Sequence, residues 1–127
     1  MNALLLVGLG GAIGAVARYA TGMAVGSLWR DPFPLATLLI NIAGSLAMGL
    51  LVGWLAKTLP PGQEDIRLFV AVGILGGYTT FSAFSLEAIV LIERGDLWGA
   101  AIYVFASVVL SVLALFLGLL LMRALPA

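Results

Sequence analysis

Histidine and cysteine are both missing from these 127 residues, and charge is scarce: six Lys/Arg and six Asp/Glu, 9% of the chain against 63% apolar. Without Cys there is no disulfide framework, no thiolate nucleophile and no Cys metal site. Without His there is no Ser-His-Asp triad, no imidazole metal site and no switch that titrates near neutrality. The two charge signs cancel, so no net field points to nucleic acid. Soluble domains carry roughly 25% charged residues, and a domain of this size leaves much of its surface outside any core. So few charges cannot dress that surface, and the mean hydropathy of +1.20 agrees. The expected class is an all-α integral membrane protein.

The charges that remain divide the chain. Residues 1–17 carry none, and charge-free runs cover 32–56, 68–86 and 97–122. A helix needs about 20 apolar residues to cross the hydrocarbon core. Four transmembrane helices are therefore expected, at about 3–28, 33–56, 66–92 and 97–122, as a single membrane domain over 1–127. The connections carry the usual breakers: Asp31-Pro32-Phe33-Pro34, Leu59-Pro60-Pro61-Gly62 and Arg94-Gly95-Asp96. The first run is expected to stay as a span rather than act as a signal peptide. No basic residue precedes it, it is long, and Arg18 follows the apolar run instead of leading it.

Four spans put both termini on one side. That side collects Lys57, Arg67 and Arg123, and the other collects Arg18, Arg30 and Arg94. A Lys/Arg excess is what orients a membrane protein, and three against three gives none. Dual insertion follows as the expectation, with copies entering both ways up and pairing antiparallel. Small residues four apart (Gly10/Gly14, Gly22/Gly26, Gly49/Gly53, Gly73/Gly77) allow close helix approach in lipid. They do not distinguish contacts within a subunit from contacts between subunits.

Polar residues inside a membrane are costly and therefore informative. Asn41 and Ser45 share a face of the second span. The third span holds Gly73-Ile74-Leu75-Gly76-Gly77-Tyr78-Thr79-Thr80-Phe81-Ser82-Ala83-Phe84-Ser85. A regular helix gains nothing from Gly-Gly, and non-helical backbone survives at membrane depth only against protein or a cavity. A break around Gly76–Thr80 is expected. Its freed carbonyls suit a hard cation such as Na⁺, and the hydroxyls of Thr79, Thr80, Ser82 and Ser85 add donors and acceptors. Phe81 and Phe84 lie three apart on one face. Packing explains such a pair, and so does presentation of electropositive ring edges to a dehydrated anion. In the fourth span Tyr103, Ser107 and Ser111 make a hydroxyl stripe about 12 Å long at 1.5 Å per residue. Arg18 either snorkels or attracts anions to a vestibule. Glu87 is an acid in or near the membrane that could pair with Arg18, cap a polar network or gate anions.

Gly76-Gly77-Tyr78-Thr79-Thr80-Phe81-Ser82-Ala83-Phe84-Ser85 resembles the signature of the Fluc (CrcB) fluoride channels. The resemblance extends over essentially the whole chain, through Arg18-Tyr19, Thr37 to Gly44, Glu87, Glu93-Arg94-Gly95 and the Tyr103/Ser107/Ser111 stripe. It implies a passive fluoride-selective channel of the inner (plasma) membrane, built as an antiparallel dual-topology homodimer with two pores. Asn41, Phe81, Phe84, Thr80, Ser82, Tyr103, Ser107 and Ser111 would then line the fluoride path, with Arg18 at the vestibule and Glu87 in a polar network. A structural Na⁺ on the dimer axis would be held by the backbone carbonyls of Gly76 and Thr79. No enzyme, organic cofactor or nucleic-acid partner is implied.

The physical demands of fluoride fit those residue types. The ion is small and strongly hydrated, so a pore must replace water with close amide, hydroxyl and aromatic-edge donors. A fixed cation would bind too tightly to release, since conduction needs weak, multi-site binding. The competing reading is a proton-coupled cation exporter of the small multidrug-resistance type, also a short four-helix dual-topology dimer. It needs a carboxylate in the first span, and that span has none.

Overall fold

The computed structural model describes residues 2–126, and no strand occurs among them. Helix α1 covers Ala3–Leu28, and Asn2 starts it by accepting the Leu4 N–H on its side-chain oxygen at 2.7 Å. Helix α2 covers Leu35–Thr58. It stops at Leu59, whose left-handed φ of 45° turns the chain into Pro60-Pro61. The third passage is composite: α3 (Gln63–Ile66), a π-helical stretch (Arg67–Leu75), α4 (Gly76–Tyr78) and α5 (Phe81–Glu93). Gly95, with φ 81°, makes the turn after α5. Asp96 then caps α6 (Leu97–Ala124) by accepting the Gly99 N–H at 2.8 Å. Four passages are long and apolar enough to cross a membrane: Ala3–Leu28, Leu35–Thr58, Gln63–Glu93 and Leu97–Ala124. Large apolar side chains are exposed along all four, as expected for helices whose outer faces meet lipid.

Glycine sets the packing. An added Cβ on Gly10 or Gly14 would collide with the carbonyl oxygens of Phe69 and Ile74, so α1 lies directly on the backbone of the π-helical stretch. Gly49 meets the Leu115 carbonyl, and a Cβ on Gly118 would lie 2.7 Å from the Leu46 carbonyl, so α2 and α6 interlock in the same way. Gly22 and Gly26 face open space within the chain. The spacing treats four glycine pairs alike, yet α1 uses only its first pair for these contacts.

The break expected over Gly76–Thr80 differs in one respect. Gly76 has φ −63° and ψ −38°, and Gly76–Tyr78 is helical. The extended residues are Thr79 (φ −78°, ψ 156°) and Thr80 (φ −149°, ψ 117°). Gly77 serves contact rather than bending: a Cβ there would lie 2.6 Å from the Gly11 carbonyl. Helix α5 restarts because Thr80 caps it, its hydroxyl accepting the Ala83 N–H at 3.1 Å.

Candidate functional site

The interruption exposes backbone groups, and α2 answers them. Asn41 accepts the Thr80 N–H on Oδ1 at 2.8 Å and donates from Nδ2 to the Thr80 carbonyl at 3.1 Å. This two-point clamp leaves one Nδ2 proton. Three residues on, Gly44 lets the Thr79 methyl pack against the α2 backbone. The Thr79 hydroxyl donates back to the Leu75 carbonyl at 2.9 Å. Among the described residues, no hydrogen bond reaches the carbonyls of Gly76 or Thr79.

Beside the clamp runs a groove of about 420 Å³. Asn41 and Ser45 of α2 border it on one side, Thr79, Thr80, Phe81 and Phe84 on the second, and Ser107 and Ser111 of α6 on the third. Among the described residues, no charged side chain borders it. The hydroxyl oxygens of Ser107 and Ser111 are buried with no hydrogen-bond partner among the described residues. Buried hydroxyls are normally paired, and two orphans on one groove leave two donors for something else. Phe81 is 77% exposed and Phe84 only 8%. Their centroids lie 5.4 Å apart with planes at 47°, so the first ring is free at the rim while the second is fixed in the core.

The donors sort by which protons are already engaged. The Ser85 hydroxyl donates to the Phe81 carbonyl at 2.9 Å and the Thr79 hydroxyl to Leu75, so both are committed to backbone. Thr80 and Ser82 share one contact at 3.4 Å, which leaves one proton free between the two hydroxyls. Ser82 is exposed and does not border the groove. Tyr103 stands apart from its two serine partners. It is wholly buried and donates to Glu87 at 3.3 Å, with Phe84 and Phe33 packed on its ring at 5.2 and 5.6 Å. Of the roles open to Glu87, the contact made is the polar one to Tyr103. The ion pair among the described residues is Arg67–Glu64, on the surface at 3.7 Å.

Arg18 borders a second groove of about 310 Å³, with Tyr19, Thr37 and Thr80 among its walls. Its Nε donates to the Gly77 carbonyl at 3.1 Å. The side chain is thus tied to the C-terminal end of α4, where a cation meets the negative end of the helix dipole. Thr80 borders both grooves. Thr37, which the sequence places in the family-like run without a site role, is buried. Its signal was available: Thr37, Asn41 and Ser45 repeat at i, i+4 and i+8, as the α6 stripe does.

Comparison with known proteins bears on this arrangement. The family described as CrcB-like protein, Camphor Resistance (CrcB), matches residues 5–119. A fluoride-specific ion channel FluC of Sphingopyxis alaskensis is 53% identical over the full length of both chains. Channels of the same name from Chelativorans and Rhodospirillum centenum are 55% and 50% identical, over 98% and 97% of each chain.

Proposed function

The chain belongs to the CrcB family, and from that premise we propose that it is a passive fluoride-selective channel that lets cytoplasmic fluoride leave across the inner membrane. It is a multi-pass membrane protein and not an enzyme. The observation that carries the reading is the uncharged groove in which the Ser107 and Ser111 hydroxyls are buried without a partner beside the free Phe81 ring. An anion stripped of water needs donors with no prior engagement. Ser107, Ser111 and the second Asn41 Nδ2 proton supply them, Thr80 adds its own when Ser82 is the donor in their contact, and the Phe81 edge adds a weak positive wall. Chloride is larger and less strongly hydrated, so it gains less from close neutral donors. Arg18 attracts anions to the neighbouring groove, and Thr80 links that groove to the first.

Two copies inserted in opposite orientations complete the pores in this proposal. Balanced Lys/Arg on the two sides supports it, as does a groove open along one face of the chain. A structural Na⁺ belongs to the same reading. The Gly76 and Thr79 carbonyls have no donor among the described residues, and hard cations take carbonyl oxygens. From both copies they would hold the ion, which would neutralise their dipoles at the seam. Tyr103 and Glu87 support the Phe84 ring from behind.

The deciding experiment is anion efflux from liposomes holding the purified protein, with K⁺ and valinomycin carrying the balancing charge. Fluoride release without chloride release is expected. Proton-coupled drug transport without fluoride release would favour the exporter instead.

The unpartnered serines allow a sharper test. Removing a buried hydroxyl that bonds to nothing is close to neutral or stabilising for the fold. Ser107→Ala and Ser111→Ala are expected to lower fluoride efflux about 10-fold each, the loss of roughly 1.4 kcal/mol of ion stabilisation. Their melting temperatures should equal or exceed that of the parent. A fall in melting with normal efflux would make these hydroxyls structural.

A further inference from the structure

We propose that Thr21 and Tyr78 form a latch from α1 that positions the Thr79-Thr80 interruption for fluoride conduction, an assignment that rests on the channel reading above. The Thr21 hydroxyl donates its single proton to the Ala17 carbonyl at 2.9 Å. Its 3.1 Å contact with the Tyr78 hydroxyl therefore has Tyr78 as donor. Three residues before Thr21 on the same face, Arg18 donates to the Gly77 carbonyl. Gly77 itself comes against Gly11 too closely for any side chain. The last two residues of α4 are thus held by α1 at three points, through backbone, carbonyl and phenol.

Two residues later the hold passes to α2, where Asn41 takes both backbone groups of Thr80. The interruption hangs between these attachments. Neither Thr21 nor Tyr78 borders either groove, so neither meets an ion in passage. Thr79, Thr80 and Phe81, which do border a groove, are the next three residues after Tyr78 in the chain. Release of the phenol frees the end of α4 to swing, and the bond rotations are passed to Thr80 and Phe81. A site held 1 Å too loosely loses function while its parts remain present.

Single-channel recording in planar bilayers separates positioning from simple support of the fold. A structural defect reduces the number of active channels, whereas a displaced path reduces the current through each. Tyr78→Phe and Thr21→Val are expected to lower unitary fluoride current about 3- to 10-fold. Thr21→Ser, which keeps the hydroxyl, should stay within about twofold of the parent. The double variant should conduct no worse than the more affected single one, because paired residues act as a unit. Tyr78→Phe keeps the ring and its packing, so it decides the matter if Thr21→Val does not fold. Unchanged unitary current in Tyr78→Phe overturns the latch, even with fewer active channels. A parent protein that carries no fluoride overturns the channel reading and the latch with it.

Discussion

Asn41→Asp is expected to reduce fluoride efflux about 100-fold while the protein still folds. Asn41 does two jobs at once: it pairs the backbone of Thr80 and presents a remaining N–H at the groove. The aspartate keeps an acceptor for the Thr80 N–H. It loses the donor to the Thr80 carbonyl and fixes a negative charge beside the proposed path. Two like charges 4 Å apart repel by about 4 kcal/mol at an effective dielectric of 20. A loss of about 100-fold in rate corresponds to a barrier raised by about 2.7 kcal/mol, which lies within that repulsion. Asn41→Leu separates the two jobs. It adds no charge but leaves both Thr80 groups unpaired, at about 1–3 kcal/mol each. Its melting temperature should therefore fall further than that of Asn41→Asp. Near-normal efflux in Asn41→Asp would remove this groove from the fluoride path.

What the sequence could supply depended on whether the signal was local. The four apolar passages follow from where twelve charges fall, because one charge inside a span is expensive and a charge-free run of sufficient length is conspicuous. Gly76-Gly77 drew attention to the right stretch for the wrong reason. Glycine is permissive for bending and equally for close approach, and only the opposing Gly11 carbonyl decides which use it has. The π-helical form of Arg67–Leu75 leaves no mark in an apolar run, since it changes hydrogen-bond spacing and not residue type. The Tyr103/Ser107/Ser111 stripe was legible as a helix face. What separates its members is the partner each finds: Tyr103 meets Glu87, and the serines meet no acceptor. The Thr21–Tyr78 pair joins residues far apart in the chain, beyond the reach of periodicity.

Gly14→Val is expected to abolish recovery of folded protein, and Gly14→Ala to lower its melting temperature markedly. A Cβ at Gly14 overlaps the Ile74 carbonyl and lies 2.9 Å from the Tyr78 nitrogen. Both obstacles are backbone, so no rotamer change gives relief, and α1 must move off the π-helical stretch. Overpacking costs about 1–3 kcal/mol even where side chains yield, against about 5–15 kcal/mol of total stability. Moving α1 also parts Thr21 from Tyr78 and Arg18 from Gly77, since Gly14 lies one turn before Arg18. Gly22→Ala is the matched control, because nothing among the described residues lies within 4 Å of a Cβ there. Thermal melting and size-exclusion elution in detergent distinguish the outcomes. Parent-like melting of Gly14→Ala would refute the tight α1 contact. If the parent elutes as two copies, a Gly22→Ala variant that keeps its fold but elutes as one would assign this open face of α1 to the proposed second copy, because no contact among the described residues of one chain could account for the loss.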